Sequence, residues 1–471
     1  MVDAPVRAGL LWADRYESGM GSLGFQWAWQ QLNVPAVVSC ERFLRIVQDP
    51  TTSARQDRRS PRGAGVRWSG GDPAPFSVET GRPLGGCDLH LASISYELDF
   101  VNLAGMLAAG GVEPERERRG PEEPALVIGG PLTRANPLPL GAMADVVVIG
   151  DGEPAVDALV RHIRAGGMTD ASSVVQALRG VDGVWLPALD AMPPPACEAG
   201  ASCLPVVSAV STPHSSFPDL TLVEISRGCP KSCTFCLGRK PDLVAKGNPA
   251  LRIASTESIL SSLPADLKGV GIIGAALSYH PGLETILDWL ARRELKAGLS
   301  SLRADRVTPE LARLLKATGG EVLTVAADGI SERVRSALRK DVAEQDMVRC
   351  AELGKEAGIH ALKIYAMIGL PDETDDDVLE FAGLLNRLNT QLPVIASLSV
   401  FVPKKGTPLE NAPFGPVDAV SARLQLLRRS CSGGIRFNRM SAREAEQQWV
   451  FDHASLVDGV RMIRDGLPRT R

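Results

Sequence analysis

Short, uninterrupted apolar runs alternate with helical patterns along most of this 471-residue chain, and this alternation constrains the fold more than any other feature. Residues 8–12, 36–38, 91–95, 125–128 and 145–149 read as strands, and 24–32, 100–109 and 155–164 as helices. Strands that are apolar throughout and separated by helices imply a parallel, doubly wound sheet buried on both faces. Residues 187–218 are rich in Pro, Ala and Ser, and Pro193-Pro194-Pro195 can continue neither a helix nor a central strand, so a linker is expected there.

Beyond the linker the alternation resumes, with strands expected at 221–226, 270–273, 297–301, 322–326, 361–366 and 396–401. Leu283, Ile286, Leu287 and Leu290 form a helical stripe. Thr308-Pro309 marks a helix start, and Thr374 with Asp377 resembles a capping box. Six βα units are too few for a closed eight-unit barrel, so an open partial (β/α)6 barrel fits better. The expected organisation is an α/β chain with a Rossmann-like domain at 1–186, a linker at 187–218, a partial barrel at 219–415 and a mostly helical extension at 416–471.

Composition narrows the function. Hydrophobic residues make up 44% and charged residues 23%, an ordinary globular balance, and the net charge of −4 argues against a nucleic-acid binder that works by bulk positive charge. The basic, Gly/Pro/Ser-rich stretch at 51–75 reads as an exposed loop. No run of about 18 apolar residues suggests a membrane span, and the N-terminus lacks a signal-peptide layout, so a cytoplasmic protein is expected. Nine cysteines, an odd number, fit that reducing compartment.

Three of the nine lie within eight residues. Cys229, Cys233 and Cys236 are spaced C-x3-C-x2-C directly after the first barrel strand, at the end where barrels place their chemistry. Zinc would ask for four ligands, and no fourth stands nearby, since His214 is fifteen residues before Cys229. A fourth Cys at ferredoxin spacing is also absent. Three thiolates on a 4Fe–4S cluster leave one iron open to bind a substrate.

With Phe235 just before the last Cys, this segment resembles the signature of the radical S-adenosylmethionine (SAM) superfamily. The chain looks most similar to the subgroup with an N-terminal cobalamin-binding domain. That resemblance covers roughly residues 8–410 and rests on Tyr16-Glu17-Ser18-Gly19-Met20-Gly21, Ser95-Tyr96-Glu97-Leu98-Asp99, Ile128-Gly129-Gly130-Pro131, Gly150-Asp151-Gly152-Glu153, Ser300-Ser301-Leu302-Arg303, Lys363-Ile364-Tyr365-Ala366-Met367-Ile368-Gly369-Leu370-Pro371 and Phe401-Val402-Pro403-Lys404. It implies a 4Fe–4S cluster that cleaves SAM to a 5′-deoxyadenosyl radical, with cobalamin as a further cofactor. The reaction expected first is methyl transfer to an unactivated carbon. The alternatives are another radical SAM reaction beside a vestigial cobalamin domain, and a non-catalytic sensor. A small-molecule or peptide substrate and a flavodoxin- or ferredoxin-type electron donor follow as partners.

By position in the resemblance, Phe235, Gly274, Ala275, Ser301, Arg303, Asp328, Ile368 and Gly369 are the expected SAM contacts. Arg303 suits a planar carboxylate because its fork donates two bonds. Gly19, Met20, Ser22, Tyr96, Glu97, Leu98, Gly129, Gly130, Pro131, Gly150, Gly152 and Glu153 are the expected cobalamin contacts, the glycines letting the backbone approach a flat corrin. Asp88-Leu89-His90 nearly spells a cobalt-ligand motif, but it lies at the start of a strand, away from the ligand-binding ends, so His90 reads as structural.

Overall fold

The structure, a computed structural model, describes residues 4–46, 73–238, 250–439 and 441–467. The basic stretch read as a loop at 51–75 lies outside the described residues up to position 72. The chain divides into two compact units, one of Met1–Cys203, Ser208–Pro218 and Val450–Arg471, the other of Leu204–Val207 and Asp219–Trp449.

The first unit is built on strands β1 (Val6–Trp12), β2 (Val38–Leu44), β3 (Leu89–Ser93), β4 (Leu126–Gly129), β5 (Val146–Val148) and β6 (Val184–Trp185). They form one sheet in the order β2-β1-β3-β4-β5-β6, parallel except for β6. This is the doubly wound sheet that the apolar runs predict. Two strands are displaced from expectation. The second was expected at 36–38 but begins at Val38 and runs on through Glu41 and Arg42, all of it buried. Its charges are paired: Glu41 accepts from Thr80 at 2.6 Å and Arg82 at 3.1 Å, and Arg42 meets Glu79 at 2.5 Å. Buried charges need such partners, which lie some 40 residues away and are invisible to local patterning. The third strand starts two residues early, so His90 is buried within it.

Residues 416–471, read as one region in the sequence, are shared between the units. The last helix, Leu456–Asp465, carries a capping box of Ser455 and Asp458. It belongs to the first unit, where the Asn136 amide donates to the carbonyls of Phe451 and Ala454, and Arg464 pairs with Glu115 at 2.7 Å.

The second unit contains β7 (Val206–Val207), β8 (Thr221–Gly228), β9 (Leu251–Ile253), β10 (Gly269–Gly274), β11 (Lys296–Leu299), β12 (Val322–Asp328), β13 (Ala361–Ile368), β14 (Val394–Val400) and β15 (Arg436–Arg439). Strands β8, β10 and β11 are parallel neighbours, as are β12 through β15. A bridge between Leu302 and Val325 joins the two sets. All six expected barrel strands are present, and β15 adds a parallel edge strand inside the mostly helical C-terminal region. Antiparallel β7 and β9 flank the other edge, on β8. Among the described residues nothing pairs β15 with that edge, so the barrel is open.

Helices cover one face of these strands. Leu283, Ile286, Leu287 and Leu290 are buried in a core with Val223, Ile225, Ile272, Ile364 and Ile368. Thr308 caps Leu311 N at 2.9 Å, and Thr374 and Asp377 form the predicted capping box. On β13, Leu362, Ile364, Ala366 and Ile368 enter this core. By strand alternation Lys363, Tyr365 and Met367 face the concave side. Leu220 and Leu222 lie against Gly269, Gly271 and Gly298, where any Cβ would come within 2.7 Å of a leucine carbon. No helix of the described residues is long and apolar enough to cross a membrane.

Candidate active site

The cysteine loop leaves the carboxyl end of β8 through Gly228, whose φ of 80° lies where glycine is favoured. Phe235 anchors the loop, packing against a small cluster of Val334, Leu338, Leu370 and Phe401. Two backbone-directed bonds hold it to the segment after the helix Glu332–Ala337: Thr234 N donates to Leu338 O at 3.0 Å, and the Cys233 thiol donates to Arg339 O at 3.6 Å. Gly238 N donates to Cys236 Sγ at 3.2 Å. A Cβ at Gly238 would lie 3.3 Å from Cys236 Sγ and 4.0 Å from Cys229 Cβ, so glycine lets the loop close on itself.

Burial raises the pKa of Cys233 and of Cys236; Cys233 feels the charge of both other cysteines and Cys236 that of Cys229, and Lys340 opposes the rise. The three thiols therefore share one neighbourhood. They do not converge on a single ion: among the described residues no group of three or more Cys, His, Asp or Glu does. A tetrahedral zinc site needs such convergence. A 4Fe–4S cluster binds each thiolate to a different corner, and three thiols in one neighbourhood are the donors it needs. Among the described residues, three buried hydroxyls at this end of the barrel, Ser226 Oγ, Thr234 Oγ1 and Tyr279 Oη, have no hydrogen-bond partner, which suits a polar ligand there.

Asp328 ends β12 with φ at 60°, a left-handed backbone rare outside glycine, and its carboxylate meets Lys340 Nζ at 2.5 Å. Lys340 is buried, with 7% of its surface exposed. Its flanking residues Arg339 and Asp341 also have positive φ, at 53° and 43°. This short left-handed run turns Lys340 inward, and Lys340 N bonds Arg335 O at 2.9 Å. Sequence reading missed Lys340, because Arg-Lys-Asp looks like a solvated surface and no local signal announces the turn.

The remaining expected SAM contacts are placed unevenly. The Arg303 guanidinium is occupied, donating to both Asp305 oxygens and to Asp341 O at 2.9 Å. Gly274 sits half-buried at a bulge beside Ser226, while Ala275 and Ser301 are exposed. The Ile368 side chain is committed to the helix-side core. Gly369, at φ 86°, donates its N–H to the buried Glu373 carboxylate at 3.0 Å.

In the first unit, the expected cobalamin contacts gather at the carboxyl ends of the strands, but several serve the chain itself. Gly19 and Met20 are buried, and Met20 sulfur accepts from Arg42 at 3.0 Å. Ser22 caps the helix Leu23–Leu32 through Phe25 N. Glu97 and Leu98 are buried, and Tyr96, Gly129, Gly152 and Glu153 are half-buried; Pro131 is exposed. Gly130 has φ 107°, and a Cβ there would strike Ile94 O at 2.5 Å; Gly150 has φ 93°, and a Cβ there would strike Cys197 O at 2.3 Å. These two glycines admit the chain's own backbone, and Cys197 bonds Ile149 O at 2.8 Å. His90 is buried near the start of β3, its pKa lowered to about 4 by burial.

Residues 24–187 match the family described as radical SAM proteins, N-terminal, and residues 223–385 match the radical SAM superfamily. The chain belongs to the radical SAM superfamily, whose members work with a 4Fe–4S cluster and SAM. An uncharacterized protein of Methanocaldococcus jannaschii is 25% identical over 334 residues, 69% of each chain. An uncharacterized methyltransferase of Pyrococcus horikoshii is 23% identical over 276 residues, 54% of this chain and 58% of its own. Among solved structures, the cobalamin-dependent SAM radical enzyme OxsB, with aqua-cobalamin and SAM bound, superposes with a TM-score of 0.53 at 15% identity. The match covers 92% of this chain and 57% of OxsB, and it shows a common fold.

Proposed function

We propose that this chain is a cobalamin-dependent radical SAM methyltransferase, with its cluster on Cys229, Cys233 and Cys236. The observation that carries the reading is the cysteine loop on the carboxyl end of β8, its three thiols in one neighbourhood beside the Asp328–Lys340 pair. When bound, the cluster and SAM supply a 5′-deoxyadenosyl radical that takes hydrogen from an unactivated carbon, and cobalamin supplies the methyl group.

The chain's own residues do the positioning. Lys340 offers a buried ammonium suited to the SAM carboxylate, and Asp328 offers its partner's acceptor to the amino group or ribose. Arg303 braces the loop that carries Lys340 through Asp341 O and takes no direct role. Phe235 fixes the loop in its apolar seat and keeps water from the thiols. Ser22, Tyr96, Pro131, Gly152 and Glu153 are the residues that would meet cobalamin, without a cobalt ligand. An external flavodoxin- or ferredoxin-type protein would be the electron donor. The substrate is a small molecule or peptide, and the compartment is the cytoplasm.

Support for cobalamin comes from the OxsB-like fold, and support for methyl transfer from the methyltransferase name of the Pyrococcus relative. One observation favours a different radical SAM reaction beside a vestigial cobalamin domain: residues 197–199 lie against Gly150 and Asp151, at a strand end where a ligand would sit. Anaerobic reconstitution with iron, sulfide and hydroxocobalamin, followed by desalting and cobalt analysis, separates the two. Cobalt equimolar with chain, and label moving from methyl-labelled SAM to cobalamin, are the results expected. Iron loading with no cobalt retained would overturn the cobalamin mechanism and leave the second reading.

A further inference from the structure

Closed eight-stranded barrels fill their interior with layers of bulky branched side chains. The concave face of β12–β15 is different. Across one layer it presents Thr324, Lys363, Ile395 and Arg436 in register, and across the next Ala326, Tyr365, Ser397 and Asn438. Tyr365 is 38% exposed although β13 lies between two other strands. Below, Leu220 and Leu222 over the glycines of β10 and β11 form an apolar floor.

Lys363 is the informative residue. Its Nζ lies 4.7 Å from the centre of the Tyr365 ring, and among the described residues it pairs with no carboxylate. The other concave side chains of these strands are hydroxyl, amide, aliphatic or cationic, except Asp328, which Lys340 already neutralises. Half-buried on this concave face with an aromatic ring beside it, the ammonium is available to an anionic ligand. One recessed cation matches one negative charge. Phosphate sites draw instead on helix N-termini or several converging cations; here Arg436 stands two strands away on the edge strand, about 10 Å across the sheet, and Lys340 is engaged by Asp328.

We infer that the concave face of β12–β15 binds the substrate of this enzyme through a carboxylate, held by Lys363 beside the Tyr365 phenol. The inference rests on the radical SAM reading for its chemistry. At about 3.3 Å per residue, Tyr365 lies about 10 Å below the end of β13, where the chain turns at Gly369. A small organic acid or amino acid anchored there reaches up toward the cysteine loop with its carbon skeleton.

The test needs no cluster. 4-Fluorobenzoate is titrated against the full chain at constant ionic strength, and its fluorine linewidth is followed by NMR. Saturable broadening is expected, displaced by acetate and not by equimolar inorganic phosphate. Lys363→Gln should weaken the affinity about tenfold or more, with Lys363→Arg retaining most of it and Lys268→Gln, on the outer surface, leaving it unchanged. Equal broadening in the native chain and Lys363→Gln, or displacement by phosphate but not acetate, would overturn the inference. Because iron content is measured separately, failure here is distinguishable from failure of the radical SAM reading.

Discussion

Lys340 illustrates what a single residue contributes that its neighbours in sequence conceal. Its burial and its 2.5 Å pair with Asp328 place a positive charge beside Cys233 and Cys236, whose pKa values it lowers against the effect of burial. Replacing it removes an ion pair at the proposed SAM position while leaving the cysteines in place. Lys340→Gln is expected to raise the SAM dissociation constant at least about tenfold, with iron content unchanged. Equilibrium dialysis of the reconstituted protein with SAM checks both. Asp99 gives a pH signature to the first unit. Burial, and then the charge of Asp14, lift its carboxyl to about 7. The unfolded chain loses that proton near pH 4, so between about pH 4 and pH 7 the folded state holds the extra proton. Stability therefore falls as pH rises through that window, by a few kcal/mol at most. Asp99→Asn keeps an acceptor for the Ser95 and Tyr96 N–H groups and should flatten the dependence, as urea titrations at pH 5 and pH 8 would report.

Elements whose signals are local were legible before the structure. Thr308-Pro309 and the Thr374–Asp377 box cap helices where the sequence places them, and the stripe from Leu283 to Leu290 is buried as its spacing requires. Elements held by distant partners were not. β2 hides Glu41 and Arg42 inside a strand because Glu79 and Arg82 neutralise them from outside any local window. β15, Arg-Phe-Asn-Arg, has no alternating pattern and is a strand because β14 templates it. Of the candidate site, the three cysteines stand out in the sequence by their spacing alone. The occupied fork of Arg303 and the inward turn at Lys340 depend on backbone geometry that composition does not encode. The final helix docks through Asn136, fully buried, whose amide meets two carbonyls. Asn136→Ala leaves those carbonyls unpaired and should cost the first unit about 2 kcal/mol, measured as a lower urea midpoint with an unchanged slope.

At the scale of the whole molecule, the chain consists of two units with separate hydrophobic cores. The cysteine loop, Asp328, Lys340 and Lys363 all lie in the second. SAM cleavage should therefore depend on the three cysteines whether or not the first unit holds cobalamin. The most direct measurement is iron content and 5′-deoxyadenosine formation after anaerobic reconstitution, with dithionite and SAM, for the native chain and for the Cys229→Ala, Cys233→Ala and Cys236→Ala variants. About four irons per native chain, SAM-dependent 5′-deoxyadenosine, and loss of that product in every variant are the results predicted. A chain that takes up zinc or no iron, or that forms 5′-deoxyadenosine equally well without these cysteines, would contradict the assignment.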